Sequence, residues 1–131
     1  MSAELITAAL LNVSGVTSLV GTRRAVSQLP QGSEMPALVY EAISTMPVMT
    51  VNASFGAQLL MSRVQVTALA ENAAGVDSVL SAVMVAMNLQ SGTYASKSVV
   101  SVVRDLRTGI SKDNDAGIWY ASQDFIIHFY E

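Results

Sequence analysis

Between residues 59 and 70 apolar and polar side chains alternate. Leu60, Val64, Val66, Ala68 and Ala70 share one parity, and Arg63, Gln65 and Thr67 share the other. A two-residue period is that of a strand with one face buried. The same period runs through 118–130, where Trp119, Ala121, Phe125, Ile127 and Phe129 oppose Tyr120, Ser122, Asp124, His128 and Tyr130. Gln123 and Ile126 break that pattern. Thirteen residues at 3.3 Å each span about 43 Å, more than a small domain needs for its own core. Part of this closing strand is therefore expected to serve a neighbour. Between the two strands, Val76, Val79, Leu80, Val83, Met84 and Met87 recur at helical spacing. They predict a main helix that begins at or beside Asn72 and is followed by Gly92.

Weaker signals fill in the rest. Ser2 is a good N-cap, and Leu5, Ile6, Ala9 and Leu10 predict a first helix of about three turns ending before Asn12. Val16, Leu19 and Val20, closed by Gly21, predict a short second helical turn. Residues 24–27 read as extended and 28–36 as a loop. A strand is expected over 37–43, flanked by Pro36 and Pro47, and 48–51 is again extended. With 52–56 as the connection, 47–61 reads as a hairpin arm whose Met46, Met49, Leu59, Leu60 and Met61 form an apolar projection. A strand at 97–106 and a polar loop at 107–117 precede the closing strand. The order predicts one α+β domain over residues 1–131: an antiparallel sheet packed on one side by two helices, with a projecting β-hairpin arm.

Composition changes this picture in one respect. Apolar residues make up 51% of the chain and charged residues 13%, against about 25% in an average domain, so the folded surface carries unusual apolar area and self-association is expected. The apolar run at 79–87 is broken by Ser81 and is too short to cross a bilayer. Met1-Ser2-Ala3-Glu4 lacks the basic start and apolar block of a secretory signal, which predicts a cytosolic product. With no cysteine and one histidine, thiol chemistry is excluded and a nitrogen-ligated metal site is not expected. The net charge is -3, and Arg23-Arg24 is the only basic pair, so the chain does not grip duplex DNA by phosphate neutralisation. The acidic excess falls in the second half, after residue 65.

Few constellations could carry catalysis. Asp113 and Asp115 flank Asn114 in a turn, but the glycine and terminal glutamate of a calcium loop are missing, so solvated turn residues are the expectation. His128 is four residues along a strand from Asp124, about 13 Å, beyond proton-transfer reach, and reads as a surface or interface residue. The glycines are isolated and no phosphate cradle occurs. Arg63, Arg104 and Arg107 alternate with Asp105 and Asp124 on strands that could be neighbours. Cross-strand ion pairs and bridges between subunits both fit, arginine suiting the second because its planar fork holds a carboxylate in two bonds. Met84 and Met87 read as core. Met46 and Met49 lie on the arm, where a flexible apolar side chain suits an adaptable contact.

Taken in order, several segments resemble the tail completion family of tailed bacteriophages, the small tail-terminator proteins also found in gene transfer agents and prophages. They are 16–23 (Val-Thr-Ser-Leu-Val-Gly-Thr-Arg), 29–32 (Leu-Pro-Gln-Gly), 35–40 (Met-Pro-Ala-Leu-Val-Tyr), 63–66 (Arg-Val-Gln-Val) and 121–125 (Ala-Ser-Gln-Asp-Phe). The resemblance implies a structural virion protein with no cofactor. Six copies would form a ring that caps the tail tube, ends its elongation and offers a joining surface to the head connector or stopper protein, while phage DNA passes through the channel without specific binding. The implied site is at the tail-neck junction, reached from the host cytoplasm during assembly. Under this reading the interface residues are Met46, Met49, Phe55, Met61, Arg63, Arg104, Arg107 and Tyr130, and Asp113 and Asp115 face the channel. A head-completion or connector subunit is the neighbouring alternative, and a small ligand-binding or enzymatic domain is the alternative of a different class.

Overall fold

In the computed structural model, which describes residues 2–29, 32, 34–48 and 58–130, three helices and seven strands follow one another. They are α1 (Ser2–Leu11), α2 (Ser14–Val20), β1 (Arg24–Val26), β2 (Ala37–Pro47), β3 (Leu59–Ala70), α3 (Ala73–Met87), β4 (Gly92–Tyr94), β5 (Lys97–Arg107), β6 (Ser111–Asp113) and β7 (Ile118–Tyr130). The strands form one sheet in the order β1-β2-β3-β7-β5-β4, with β6 also paired to β7.

The closing strand β7 is long for an internal reason. It pairs antiparallel with β3 from Trp119↔Ala70 to Tyr130↔Leu59, and along its other edge with β5 and β6. Its length is matched by β3 of the same chain, so pairing within the chain accounts for the extent of β7. Phe125, Ile127 and Phe129 are buried and join Val64, Val66 and Ala68 of β3 in the core.

The break between β5 and β6 is bridged by side chains of β7. Pairing slips between Arg104 and Arg107, and the Gln123 amide donates to the carbonyls of Asp105 (3.2 Å), Leu106 (3.3 Å) and Asp124 (2.9 Å). One residue before it, the Ser122 N–H donates to the Thr108 hydroxyl at 2.9 Å, while the Thr108 N–H donates to the Ser122 carbonyl at 3.0 Å. The Ser122 hydroxyl bonds that of Thr67 on β3 at 2.9 Å. Thus Gln123, the polar exception on the apolar face, is 2% exposed yet satisfied, as a buried amide must be.

The helices supply the rest of the core. Ile6, Leu10 and Leu11 of α1, Val16 and Val20 of α2, and Val76, Val79, Leu80, Val83 and Met87 of α3 cluster with the sheet residues above. The chain turns by 89° between α1 and α2. Arg24 braces that corner, donating to the carbonyls of Leu11 and Gly21 at 3.2 and 3.1 Å, and Arg23 reaches Leu19 and Pro36. The one basic pair of the chain is thus engaged with carbonyls, largely at helix ends, where cations are favoured. At the start of α3 the Asn72 side chain accepts from the Gly75 N–H at 2.6 Å. A Cβ at position 75 would lie 2.9 Å from the Ala70 Cβ, so glycine is required where the end of β3 passes the helix.

Several details depart from the sequence-based picture. There are three helices rather than two, because the second helical turn begins at Ser14 and completes seven residues. The sheet is not wholly antiparallel: β1 runs parallel to β2, since the chain returns over 27–36 to start β2 beside Arg24. The expected strand 37–43 continues to Pro47 after a register shift between Ala42 and Ser44. β4 was not expected, because its turn to β5 uses Ala95 and Ser96 at φ 52° and 64°, positions normally marked by Asn or Gly. The loop expected at 107–117 contains β6. Of the expected hairpin arm, pairing is described as far as Pro47↔Leu60, and residues 49–57 lie outside the described residues.

Two substitutions test this packing. Gly75→Ala should lower the urea midpoint although alanine favours a helix by about 1 kcal/mol, because forcing a methyl against Ala70 costs about 1–3 kcal/mol. Gln123→Leu keeps the side-chain bulk but leaves three carbonyls without their donor, and should lower unfolding free energy by about 1–3 kcal/mol in equilibrium urea unfolding.

Candidate assembly surfaces

The face of the sheet that bears Arg63, Gln65 and Thr67 is built from rows that cross the strands. One row is Met46, Met61, His128 and Ser101 on β2, β3, β7 and β5 in turn. The next is Ser44, Arg63, Ile126 and Val103. Met46 is 51% exposed, whereas Met61 and His128 are half-buried. The His128 Nδ1 lies 3.3 Å from the Ser101 hydroxyl. Among the described residues no three histidine, aspartate or glutamate side chains gather to hold a metal.

Charge on this face is concentrated at Arg63. Its guanidinium bonds the Asp105 carboxylate from β5 and the Asp124 carboxylate from β7, the latter at 3.1 Å. Hydrogen bonds that the guanidinium donates to Asp105 first, then to Asp124, raise the Arg63 pKa above its ordinary value. Asp124 is 7% exposed. A carboxylate so covered needs its cation, so this bridge links three strands in one chain. Arg107 points elsewhere: it pairs at 3.1 Å with Asp77 on α3. Of the two readings open for these arginines, the cross-strand ion pair is present for Arg63, whereas the partner of Arg107 within the chain lies on a helix.

The remaining expected site residues are dispersed. Arg104 is exposed on β5, where its backbone N–H donates to the Asn88 side chain at 3.0 Å. Tyr130, at the end of β7, is 39% exposed opposite Leu59 and Ser98. Met49 and Phe55 lie outside the described residues. Asp113 and Asp115 sit in the exposed turn between β6 and β7, where the Asp113 carboxylate accepts from the N–H groups of Asp115 and Ala116 at 3.1 and 3.3 Å. Glu34 and Glu71 border Ala116 and Gly117 in a notch beside that turn. Lys112, the nearby cation, lies 5.7 Å from the Trp119 ring centre.

Sequence reasoning missed the outward side of the helices. Leu5, Val13, Val85 and Leu89 are exposed there. The signal was available as a near absence of charge: across α1, α2 and α3 only Glu4 and Asp77 are charged. It also missed Asp77 as the partner of Arg107, which no local pattern marks.

Comparison with known proteins agrees with the resemblance noted in the sequence. No curated protein matches the chain. A chain in a solved virion of a native gene transfer agent particle shares the fold with a TM-score of 0.70 at 12% identity, over 98% of this chain and 97% of that one. The family model for tail completion protein gp17 matches residues 4–130. With that match spanning nearly its whole length, the chain belongs to the tail completion protein gp17 family and is a structural protein of a phage-type tail, located in the virion.

Proposed function

We propose that six copies form a ring that caps the tail tube at the tail-neck junction, stops further addition of tube protein and presents a joining surface to the head connector or stopper. The observation that carries the ring is the placement of exposed apolar side chains on two separate surfaces. One is the outward side of the helices, with Val85 and Leu89 at 80% and 78% exposure, and the other is the open end of β2, with Ile43 and Met46 at 50% and 51%. A subunit in a closed ring buries two different surfaces against its two neighbours, as these require. Family membership supports the role in tail completion.

In this arrangement the helices lie on one side of the sheet, and β2 and β3 continue as an arm. Met46, Met49, Phe55 and Met61 supply its apolar contacts. Arg63, Arg104, Arg107 and Tyr130 border the interface, Arg63 and Arg107 presenting carboxylates they already hold. Asp113 and Asp115 face the channel together with Glu34 and Glu71, where like charge repels DNA phosphates and lets the genome pass without adhering. The ring needs no cofactor and no membrane.

Three measurements test this. Light scattering on the purified protein, alone and with tail tubes, should give six times the 13.8 kDa chain mass; a single chain under every condition overturns the ring. Loss of the gene should yield overlong tubes in micrographs, whereas filled heads beside separate tails of normal length would assign a connector role instead. Asp113→Asn with Asp115→Asn preserves the acceptor that holds the turn, and should slow DNA delivery without changing the count of assembled particles. Unchanged delivery removes the channel role.

A further inference from the structure

A helix facing water ordinarily carries a charged outer stripe. The three helices here do not: Asp77 is held by Arg107, and the outward positions include Leu5, Val85 and Leu89. Leu89 is doubly unusual. It adopts φ 64° just past the end of α3, where glycine or asparagine is the favoured choice, and its side chain is 78% exposed. A groove of about 510 Å³ runs beside it, with Ala9, Leu10 and Val13 on one wall and Ala82, Val85 and Ala86 on the other. Gln90 and Tyr94 close one end and bond each other at 3.3 Å, so no charged side chain lines the groove. What fits there is narrow, apolar and uncharged.

The chain itself carries one segment of that description. No residue from 42 to 62 is charged. Residues 49–57, which include Met49, Val51 and Phe55, join β2 to β3 at the end where Met46 is exposed. In the sheet order β7 and β5 stand between this strand pair and β4, whose Tyr94 lines the groove. The Tyr94 end of the groove therefore stands three strands away from β3.

We propose that the groove between α1 and α3 receives the β2–β3 connection of a second copy, so that each chain gives its arm to one neighbour and accepts the arm of the other. A projection and a recess on different surfaces make a head-to-tail contact, the kind that closes into a ring when the rotation per copy allows it. The inference rests on the ring reading above and names its contact.

The chain has no cysteine, so an introduced pair reports without interference. In Phe55→Cys with Val85→Cys, mild oxidation of the assembled protein should yield a denaturing-gel ladder at multiples of the chain mass. Val85→Glu, at a position 80% exposed, should leave the thermal midpoint of the single chain unchanged and raise the concentration for half-assembly at least tenfold. A disulfide formed only within one chain overturns the proposal, as does Val85→Glu protein that assembles like wild type. If that variant still forms rings but no longer joins tail tubes, the groove faces another virion protein, and the proposal falls while the ring stands. Wild-type protein that never associates removes the ring itself.

Discussion

The structure depends on one strand being hydrogen-bonded along both edges. β7 pairs with β3 on one side and with β5 and β6 on the other, so the last segment of the chain becomes the middle of the sheet. Its inward side chains, Phe125, Ile127 and Phe129, lie at the centre of the core, where Val83 and Leu80 of α3 also gather. Until the end of the chain is in place, β3 and β5 have no partner between them. Such non-local pairing must bear the entropy of closing long loops before its contacts form.

Holding both edges also demands polar groups inside. Where β5 gives way to β6, the Gln123 amide donates to the β5 carbonyls of Asp105 and Leu106, and Thr108 accepts from the Ser122 N–H of β7. Beside them Asp124 is covered and neutralised by Arg63, which also holds Asp105. Polar residues therefore interrupt the alternation of β7 at the place where its neighbour is discontinuous. An unpaired buried amide or carboxylate is more destabilising than a paired one is helpful, so these residues act mainly by preventing a penalty.

Charge is divided unevenly over the molecule. The outer face of the sheet and the β6–β7 turn carry most of it, whereas the helices carry two acidic residues and no base. The β2 edge is treated differently again. A register shift follows Ala42, and Pro47, which lacks an N–H, closes the strand. Both features discourage indiscriminate strand addition along an open edge.

Much of the local structure was legible from residue spacing. The strands at 59–70 and 118–130, the stripe of α3, the Asn72 start and the Gly21 stop all depend on contacts among near neighbours in sequence, and period and capping chemistry report those contacts directly. The order of segments also carried the family resemblance. Other features were decided only when distant segments met. Nothing near Tyr130 reveals that Leu59 and Ser98 will flank it, so the length of β7 looked surplus until β3 was found to match it. The same is true of the burial of Asp124, which is set by an arginine sixty-one residues away. The parallel course of β1, the Ala95-Ser96 turn and the Arg107–Asp77 pair likewise arise from chain return and packing. Side-chain periodicity reports which face of an element is apolar, but the identity of what covers that face is a property of the closed chain.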